Sequence, residues 1–228
     1  MTLTPTTLTR AAGLAAVAGG LLFIAVQIKH PVLDAPFTTT TEYAVRETAK
    51  IFMAVLSLIG ITGIYLRQVR QAGVLGLIGY LTLAVGYLTM LVVQVIAVFI
   101  LPDLAAGQPG YVNDVLAVAT SDTPTGDVSG FQTLSMVLFT YIAGGVIFGI
   151  ALFRANVLAR WAAALMSIGA IATIATFQLP ELTQRLFAVP AGVALIGLGF
   201  SLWRDQRTAT AHPLPSPAGS QLDPADAR

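Results

Sequence analysis

Gln71–Pro102 reads QAGVLGLIGYLTLAVGYLTMLVVQVIAVFILP and contains no charged residue, although Arg70 and Asp103 border it directly. An α-helix crosses the hydrocarbon core of a bilayer, roughly 30 Å thick, in about 20 apolar residues. This stretch is longer than that, so a helix formed by it can cross with tilt or with its ends among the lipid headgroups. It therefore predicts a membrane-spanning helix around which the other segments pack.

The composition of the whole chain agrees with a lipid environment. Of the 228 residues, 56% are hydrophobic and 10% are charged, and the mean hydropathy is +0.80. Soluble domains carry about 25% charged residues. The net charge of +1 and the lack of a basic run give no reason to expect nucleic acid as a partner. The chain has no cysteine and two histidines, so we predict no metal site and no cofactor.

Apolar runs separated by charged or proline-containing turns predict six spans, at residues 11–28, 42–66, 72–101, 131–153, 161–179 and 183–203. We therefore expect an all-α, polytopic membrane protein whose domain, residues 11–204, is a bundle of six transmembrane helices. Residues 1–10 are predicted to be flexible, and residues 205–228, rich in Pro, Ala and Ser, to be disordered. The first run also fits a signal peptide, but its length and the lack of a small-residue cleavage site favour a retained span.

Charged residues at the start of the second span can pair within one helix. Thr39 and Glu42 match a capping box, in which each side chain accepts a hydrogen bond from the other residue's backbone. Glu42 and Arg46 are four residues apart, and Glu47 and Lys50 are three apart. Both spacings bring side chains together on a helix surface, so two local ion pairs are predicted.

Basic residues are distributed unequally between the two ends of the predicted bundle. With the N-terminus in the cytoplasm, the inner side carries twice as many as the outer side, and such an excess is typical of cytoplasmic loops. The inner set is Arg10, Arg67, Arg70, Arg154, Arg160, Arg204, Arg207 and Arg228, and the outer set is Lys29, Arg46, Lys50 and Arg185. This predicts a multi-pass plasma-membrane protein with both termini in the cytoplasm. The long loop after the third span, where Val112–Thr120 is predicted to form a short surface helix, then lies outside.

Small residues spaced four apart predict where the helices approach one another closely. Such pairs are Gly145 with Gly149, Ala163 with Ser167 and Gly197 with Ser201, and the third span has Gly73, Gly76 and Gly79. A GxxxG pair can also form a dimer interface. In a chain with six spans, packing within the bundle is the favoured interpretation.

Amide side chains within the spans indicate where a ligand could bind. All of them fall in the predicted outer half, and Tyr80, Tyr87 and Gln94 follow one another at seven-residue spacing on one face of the third span. An amide in lipid needs a hydrogen-bond partner, which favours the bundle interior. The predicted outward-facing polar pocket is lined by Gln27, His30, Glu47, Gln94, Gln132 and Gln178. The alternative is that these side chains simply meet headgroups and water.

Three functions fit these features, and the sequence does not select among substrates. The chain has no ionisable residue in the middle of a span and no hydrolase, nucleotide-binding or zinc-protease motif. This favours non-catalytic binding of a lipid, an apolar small molecule or a partner helix. A membrane-embedded enzyme that uses an acid catalyst on a lipid-soluble, terpenoid-like substrate is the second possibility, with Glu42, Glu47, Asp103 and Glu181 as candidate proton donors. A small transporter is the third, although no coupling-ion ligands lie at the midplane.

Two segments resemble an uncharacterised group of bacterial, actinobacterial-type six-span membrane proteins that is catalogued as a domain of unknown function. They are FGIALFRANVLARWAAALMSIGAIATIATF from Phe148 and YVNDVLAVAT from Tyr111. The first is similar to the group's pattern of a span ending in Leu-Phe-Arg and a following span that begins with Trp. Many members have proline before the Arg-Trp pair, where this chain has Ala159. The resemblance implies a six-span plasma-membrane protein and no particular reaction.

Overall fold

The computed structural model describes residues 4–28, 31–120, 122–175 and 189–211, and all regular secondary structure in these residues is helical. The helices are α1 (Pro5–Ala25), α2 (Ala35–Thr38), α3 (Thr41–Arg67), α4 (Val69–Phe99), α5 (Leu101–Ala105), α6 (Pro109–Thr120), α7 (Ser129–Val137), α8 (Phe139–Ala155), α9 (Arg160–Ala175) and α10 (Val189–Ala211). The predicted all-α class is confirmed for the described residues.

The long helices form a closed ring in the order α1, α3, α4, α8, α9 and α10, and α10 packs back against α1. Neighbouring helices in the ring are antiparallel. Residues with higher numbers on one helix contact residues with lower numbers on the next. On α4, for example, Gly79 lies against Phe148 of α8, and Gly86 lies against Tyr141. Each helix is therefore adjacent to the next one along the chain, as short connections favour.

Four helical segments are long and apolar enough to cross a membrane: Pro5–Ala25, Thr41–Arg67, Val69–Phe99 and Ser129–Ala155. Their outer surfaces are apolar. On α4 alone, Val74, Ile78, Leu81 and Val92 are exposed. Exposed aliphatic side chains along a whole helix are stable in lipid and unfavourable in water. The predicted membrane character is thus supported by both the length of these helices and the direction of their side chains.

Both ends of the predicted domain differ from the structure. Residues 5–10 were predicted to be flexible, but α1 begins at Pro5, because Thr4 caps it by accepting a hydrogen bond from the backbone of Thr7 at 3.2 Å. Residues 205–211 were predicted to be disordered, but they belong to α10. There the Asp205 carboxylate accepts a hydrogen bond from Arg67 at 2.6 Å, which ties the end of α10 to the end of α3. Residues 212–228 lie outside the described residues.

The predicted capping box at the start of α3 is displaced by one residue. Thr40, not Thr39, is the N-cap, and its hydroxyl accepts from the backbone of Tyr43 at 3.2 Å. The N3 position is therefore Tyr43, which has no carboxylate to complete the box. Glu42 instead pairs with Arg46 at 2.9 Å, as its spacing predicted.

Glycines allow the ring to close tightly. A Cβ on Gly86 would lie 2.5 Å from the Tyr141 Cα, and one on Gly20 would lie 2.5 Å from the Gly192 carbonyl oxygen. The predicted GxxxG of α8 also packs inside the bundle, since Gly149 faces Ala163 and Ser167 of α9. Gly73 plays a different part. It has φ +57° and ψ −153° and bends the first turn of α4, a conformation that is open almost only to glycine.

One end of the ring is covered by a small packed layer, which we call the cap. It consists of α2, α5 and α6, whose apolar side chains form one cluster with residues at the near ends of α3 and α4. The core of the cap is Ala35, Tyr43, Ala97, Leu101, Val112, Val115, Leu116 and Val128. The Asn113 carboxamide oxygen accepts a hydrogen bond from the Ala35 backbone at 2.8 Å and so joins α6 to α2. The short helix predicted at Val112–Thr120 is confirmed, and it begins slightly earlier, at Pro109.

Candidate functional site

A cleft lies between α4, α8, α9 and α10, from the middle of the ring toward the cap end. It is lined by Leu83, Tyr87, Tyr141, Gly145, Met166, Ala170, Thr173, Ala191 and Leu195. Its cavity volume is about 20 Å³, and the empty space reaches about 330 Å³ once the open side is included. The first value is room for roughly one water molecule.

The polar groups of this cleft are neutral hydroxyls. Tyr87 is buried, with 2% of its surface exposed, and its ring meets that of Tyr141 edge to face at 5.3 Å. Tyr141 also stacks on Phe23 of α1, with the ring centroids 6.2 Å apart. The aromatic groups therefore link the cleft to the α1 side of the ring, and none of the described residues that line it is charged.

A second polar feature lies between two apolar clusters near the cap. On α3, Glu47 lies between Tyr43, which belongs to the cap core, and Met53, which packs with Phe23 and Val26. On α4, Gln94 lies between Ala97 of the cap core and Met90, which packs against the Met53 cluster. Because the flanking residues of the two helices belong to the same two clusters, Glu47 and Gln94 lie at about the same height in the bundle.

Glu47 is buried, with 4% of its surface exposed, and its carboxylate accepts a hydrogen bond from the Lys50 ammonium at 2.6 Å. The Gln94 side-chain oxygen is also buried and receives no hydrogen bond from the described residues. We call Glu47, Lys50 and Gln94 the polar layer. Its two charges cancel, and it contains one buried acceptor that still needs a donor.

The remaining predicted site residues are less buried than Glu47 or lie outside the described residues. Gln27 is half-buried at the end of α1, Gln132 is exposed on α7, and Asp103 is exposed on α5. Glu42 is exposed and held by Arg46, whose guanidinium also donates to the Ile28 carbonyl at 3.1 Å. His30, Gln178 and Glu181 lie outside the described residues. Of the predicted pocket residues that the structure describes, Glu47 is buried and Gln94 has a buried side-chain oxygen, whereas Gln27 and Gln132 are more exposed.

Sequence reasoning found Tyr87 and Gln94 from their spacing, because one face of a helix repeats about every seven residues. It missed the contributions of α8, α9 and α10, namely Tyr141, Met166 and Thr173. Met166 carries no pattern that distinguishes it from an ordinary core methionine. Tyr141, a single tyrosine within an apolar span, was the available signal.

The end opposite the cap, which we call the arginine end, is positively charged. It carries Arg10, Arg67, Arg70, Arg154, Arg160 and Arg204, all at helix termini that meet at this end. Arg67 forms a salt bridge with Asp205, with Nε 2.6 Å from the carboxylate oxygen. The Arg160 guanidinium lies over the Phe153 ring, 4.3 Å from its centroid. The cap end carries seven described acidic residues and two basic ones: Asp34, Glu42, Glu47, Asp103, Asp114, Asp122 and Asp127, with Arg46 and Lys50. Within the described part of the chain, no three His, Cys, Asp or Glu side chains come together as a metal site would require.

The Asp114 side chain on α6 binds the backbone of the loop between α6 and α7. Its carboxylate accepts hydrogen bonds from the Thr125 backbone at 2.7 Å, the Thr125 hydroxyl at 3.0 Å and the Gly126 backbone at 3.0 Å. These bonds, the Thr125 backbone first, lower the pKa of Asp114 below its ordinary value of 3.8, because they stabilise the ionised form.

We expect Asp114→Asn to loosen the loop at residues 122–128 at neutral pH. A depressed folded-state pKa means that the carboxylate stabilises the loop above pH 3.8 and loses this effect as the pH falls through the folded-state value. Wild-type and variant should therefore differ in amide-exchange protection of Thr125 and Gly126 at pH 6 and become alike in strong acid. Asp103→Asn, which changes another acid of the cap end, serves as the control. Equal protection in all three proteins at pH 6 would contradict the assignment.

The chain matches no protein-family model, no curated protein and no solved structure.

Proposed function

We propose that this protein is a six-span plasma-membrane protein that binds a lipid or an apolar small molecule in the cleft between α4, α8, α9 and α10, without catalysis. The observation that carries the proposal is the cleft itself, which has apolar walls, neutral hydroxyls and an open side. Ligand sites in helix bundles lie between helices and combine apolar walls with a few polar groups.

The count of six spans rests on α9 and α10 joining the four apolar segments in one ring of antiparallel neighbours. The proposed orientation places the arginine end in the cytoplasm, since cytoplasmic loops are rich in Lys and Arg. Both termini then lie in the cytoplasm, and the acidic cap lies outside. The same arrangement is what the proposed relationship to the actinobacterial-type six-span group implies.

The acid-catalysed alternative has less support from the geometry. None of the described candidate donors lines the cleft. Glu47 and Glu42 accept hydrogen bonds from a lysine and an arginine, respectively. A general acid must carry a proton and reach the substrate.

Met166→Trp tests the ligand site. Met166 is buried in the cleft wall, so a larger ring at this position fills the space that a ligand would occupy. We expect small molecules that co-purify with the wild-type protein in mild detergent, measured by mass spectrometry, to be largely lost from this variant. Ile168→Trp is the matched control, because Ile168 is on the same helix and 61% exposed on its outer face.

Two results would contradict the proposal. One is that the wild-type protein carries no small molecule beyond bulk lipid. The other is that Met166→Trp and Ile168→Trp retain the same molecules in the same amounts. Ala170→Leu, a smaller change in the same wall, replaces Met166→Trp if the tryptophan variant does not fold.

The absence of cysteine from the chain makes the orientation directly testable. Asp103 and Arg70 are exposed at the cap end and the arginine end, respectively. In intact cells, a membrane-impermeant maleimide should label Asp103→Cys and should label Arg70→Cys only after the cells are opened. Labelling in the reverse order would overturn the orientation.

A further inference from the structure

The polar layer and the cleft share one face of α4. Leu83 and Tyr87 line the cleft, Met90 follows, and Gln94 belongs to the polar layer. These positions are four, three and four residues apart, the spacing of one helix face. Gln94 is seven residues beyond Tyr87, which corresponds to ~10 Å along the helix axis. Met90 and Met53 pack in the cluster between the two sites, and their unbranched thioethers adapt readily to new neighbours.

We propose that the polar layer binds the head of the molecule that occupies the cleft, and that this head is an uncharged hydroxyl group. The inference rests on the proposed function, since it assigns the chemical class of the same ligand. The ligand is then a long-chain or polycyclic alcohol whose apolar body fills the cleft.

The hydrogen-bonding argument concerns the buried oxygen of Gln94. This oxygen is an acceptor without a donor among the described residues. A buried acceptor left unpaired is unfavourable, so a ligand that supplies a donor is selected over one that does not. A hydroxyl group supplies an O–H, whereas an ether, a ketone or a hydrocarbon of the same size does not.

The charge argument concerns Glu47 and Lys50. They neutralise each other at 2.6 Å in a buried setting. A carboxylate or phosphate head would add a net negative charge to this layer, and it would be stabilised only by drawing Lys50 away from Glu47. Leaving Glu47 buried without its partner is strongly unfavourable. The layer is therefore suited to a neutral head.

The experiment compares three probes of equal chain length: 1-dodecanol, 1-methoxydodecane and dodecanoate. Their binding to the purified full-length protein in nanodiscs of a single phosphatidylcholine is measured by native mass spectrometry. We expect the alcohol to bind about tenfold more tightly than its methyl ether, a ratio that corresponds to 1.4 kcal/mol. The carboxylate should bind less tightly than the alcohol as well.

Variants separate the head site from the cleft. Gln94→Leu should reduce the affinity for the alcohol to that for the ether, because the acceptor is gone. Gln71→Leu, which changes an exposed glutamine at the other end of the same helix, should keep the tenfold preference. Met166→Trp should weaken the binding of all three probes.

The outcomes distinguish the two proposals. If the wild-type protein binds alcohol and ether equally and Met166→Trp abolishes both, the head assignment is wrong and the cleft proposal stands. If dodecanoate binds most tightly of the three probes, only the head assignment is wrong. The same holds if Gln94→Leu keeps the tenfold preference for the alcohol over the ether. If none of the probes binds, both proposals fail. The wild-type comparison of alcohol with ether remains decisive if Gln94→Leu does not fold.

Discussion

Replacing Lys50 by methionine is expected to destabilise the folded protein by about 3–5 kcal/mol, the usual effect of removing one partner from a buried ion pair. Glu47 and Lys50 are both on α3, and their side chains are 6% and 17% exposed, respectively. Methionine keeps the unbranched length of the lysine side chain but takes away the ammonium group. The Glu47 carboxylate is then left between the cap cluster and the Met53 cluster without a positive charge beside it.

The double variant Glu47→Leu/Lys50→Met separates the effect of the charge from the effect of packing. Replacing both partners of a buried pair by apolar residues is often neutral or stabilising. We therefore expect the double variant to recover most of the stability lost in Lys50→Met. The free energy of unfolding of each purified protein in mixed micelles, measured by denaturant titration, tests this. If the double variant is as unstable as Lys50→Met, then the loss comes from packing and not from the stranded carboxylate.

A matched surface pair provides a control for the same measurement. Arg46 and Glu42 also form an intrahelical ion pair, at 2.9 Å, but the Glu42 side chain is 56% exposed. Exposed pairs contribute about 0–1 kcal/mol, so Glu42→Gln should leave the stability almost unchanged. A similar loss in Glu42→Gln and Lys50→Met would contradict the importance of burial.

The second large effect is expected from Gly86→Ala. A Cβ at this position would lie 2.5 Å from the Cα and 2.6 Å from the backbone nitrogen of Tyr141. Backbone atoms cannot rotate away as a side chain can, so α4 and α8 must separate. Overpacking of this kind destabilises by about 1–3 kcal/mol and occasionally more. The separation should also displace Tyr141, whose ring lines the cleft and contacts Tyr87.

Gly110→Ala is the control for Gly86→Ala. Gly110 lies in α6, and no atom lies within 4 Å of the position that its Cβ would take. Alanine favours a helix more than glycine does, so this variant should be as stable as the wild type or slightly more stable. Thermal melting of the two variants in the same detergent checks the expectation. Equal melting temperatures for Gly86→Ala and the wild type would show that α4 and α8 are less closely packed than the structure indicates.

Burial of the Glu47–Lys50 pair is a feature that sequence spacing alone does not show. The spacing of Glu47 and Lys50 correctly predicts their pairing, because residues three apart on a helix are always neighbours. The spacing does not reveal how deeply the pair is buried, since burial depends on the helices that pack against α3. The sequence therefore placed Glu47 in the predicted pocket and among the candidate proton donors without showing how deeply it is buried.

The residues that line the cleft were likewise only partly predictable from sequence spacing. Sequence spacing on α4 pointed to Tyr87 and Gln94, but the opposite wall is formed by α8, α9 and α10. Met166 is some 80 positions from Tyr87 in the chain. Met166 lies opposite Tyr87 only because the ring of helices closes, and no local sequence pattern predicts that closure.

The sequence by itself determined the helical class, the lipid-facing composition, the position of the apolar segments, the short helix after the third span and the two ion pairs within α3. All of these depend on composition or on neighbours within a few residues, and one helix is enough to establish them. Only the tertiary structure decided the order of the ring, the packing of α2, α5 and α6 as a cap, the burial of Glu47 and the cleft. These depend on surfaces contributed by helices far apart in the chain, whose close approach is set by where glycines let two backbones meet.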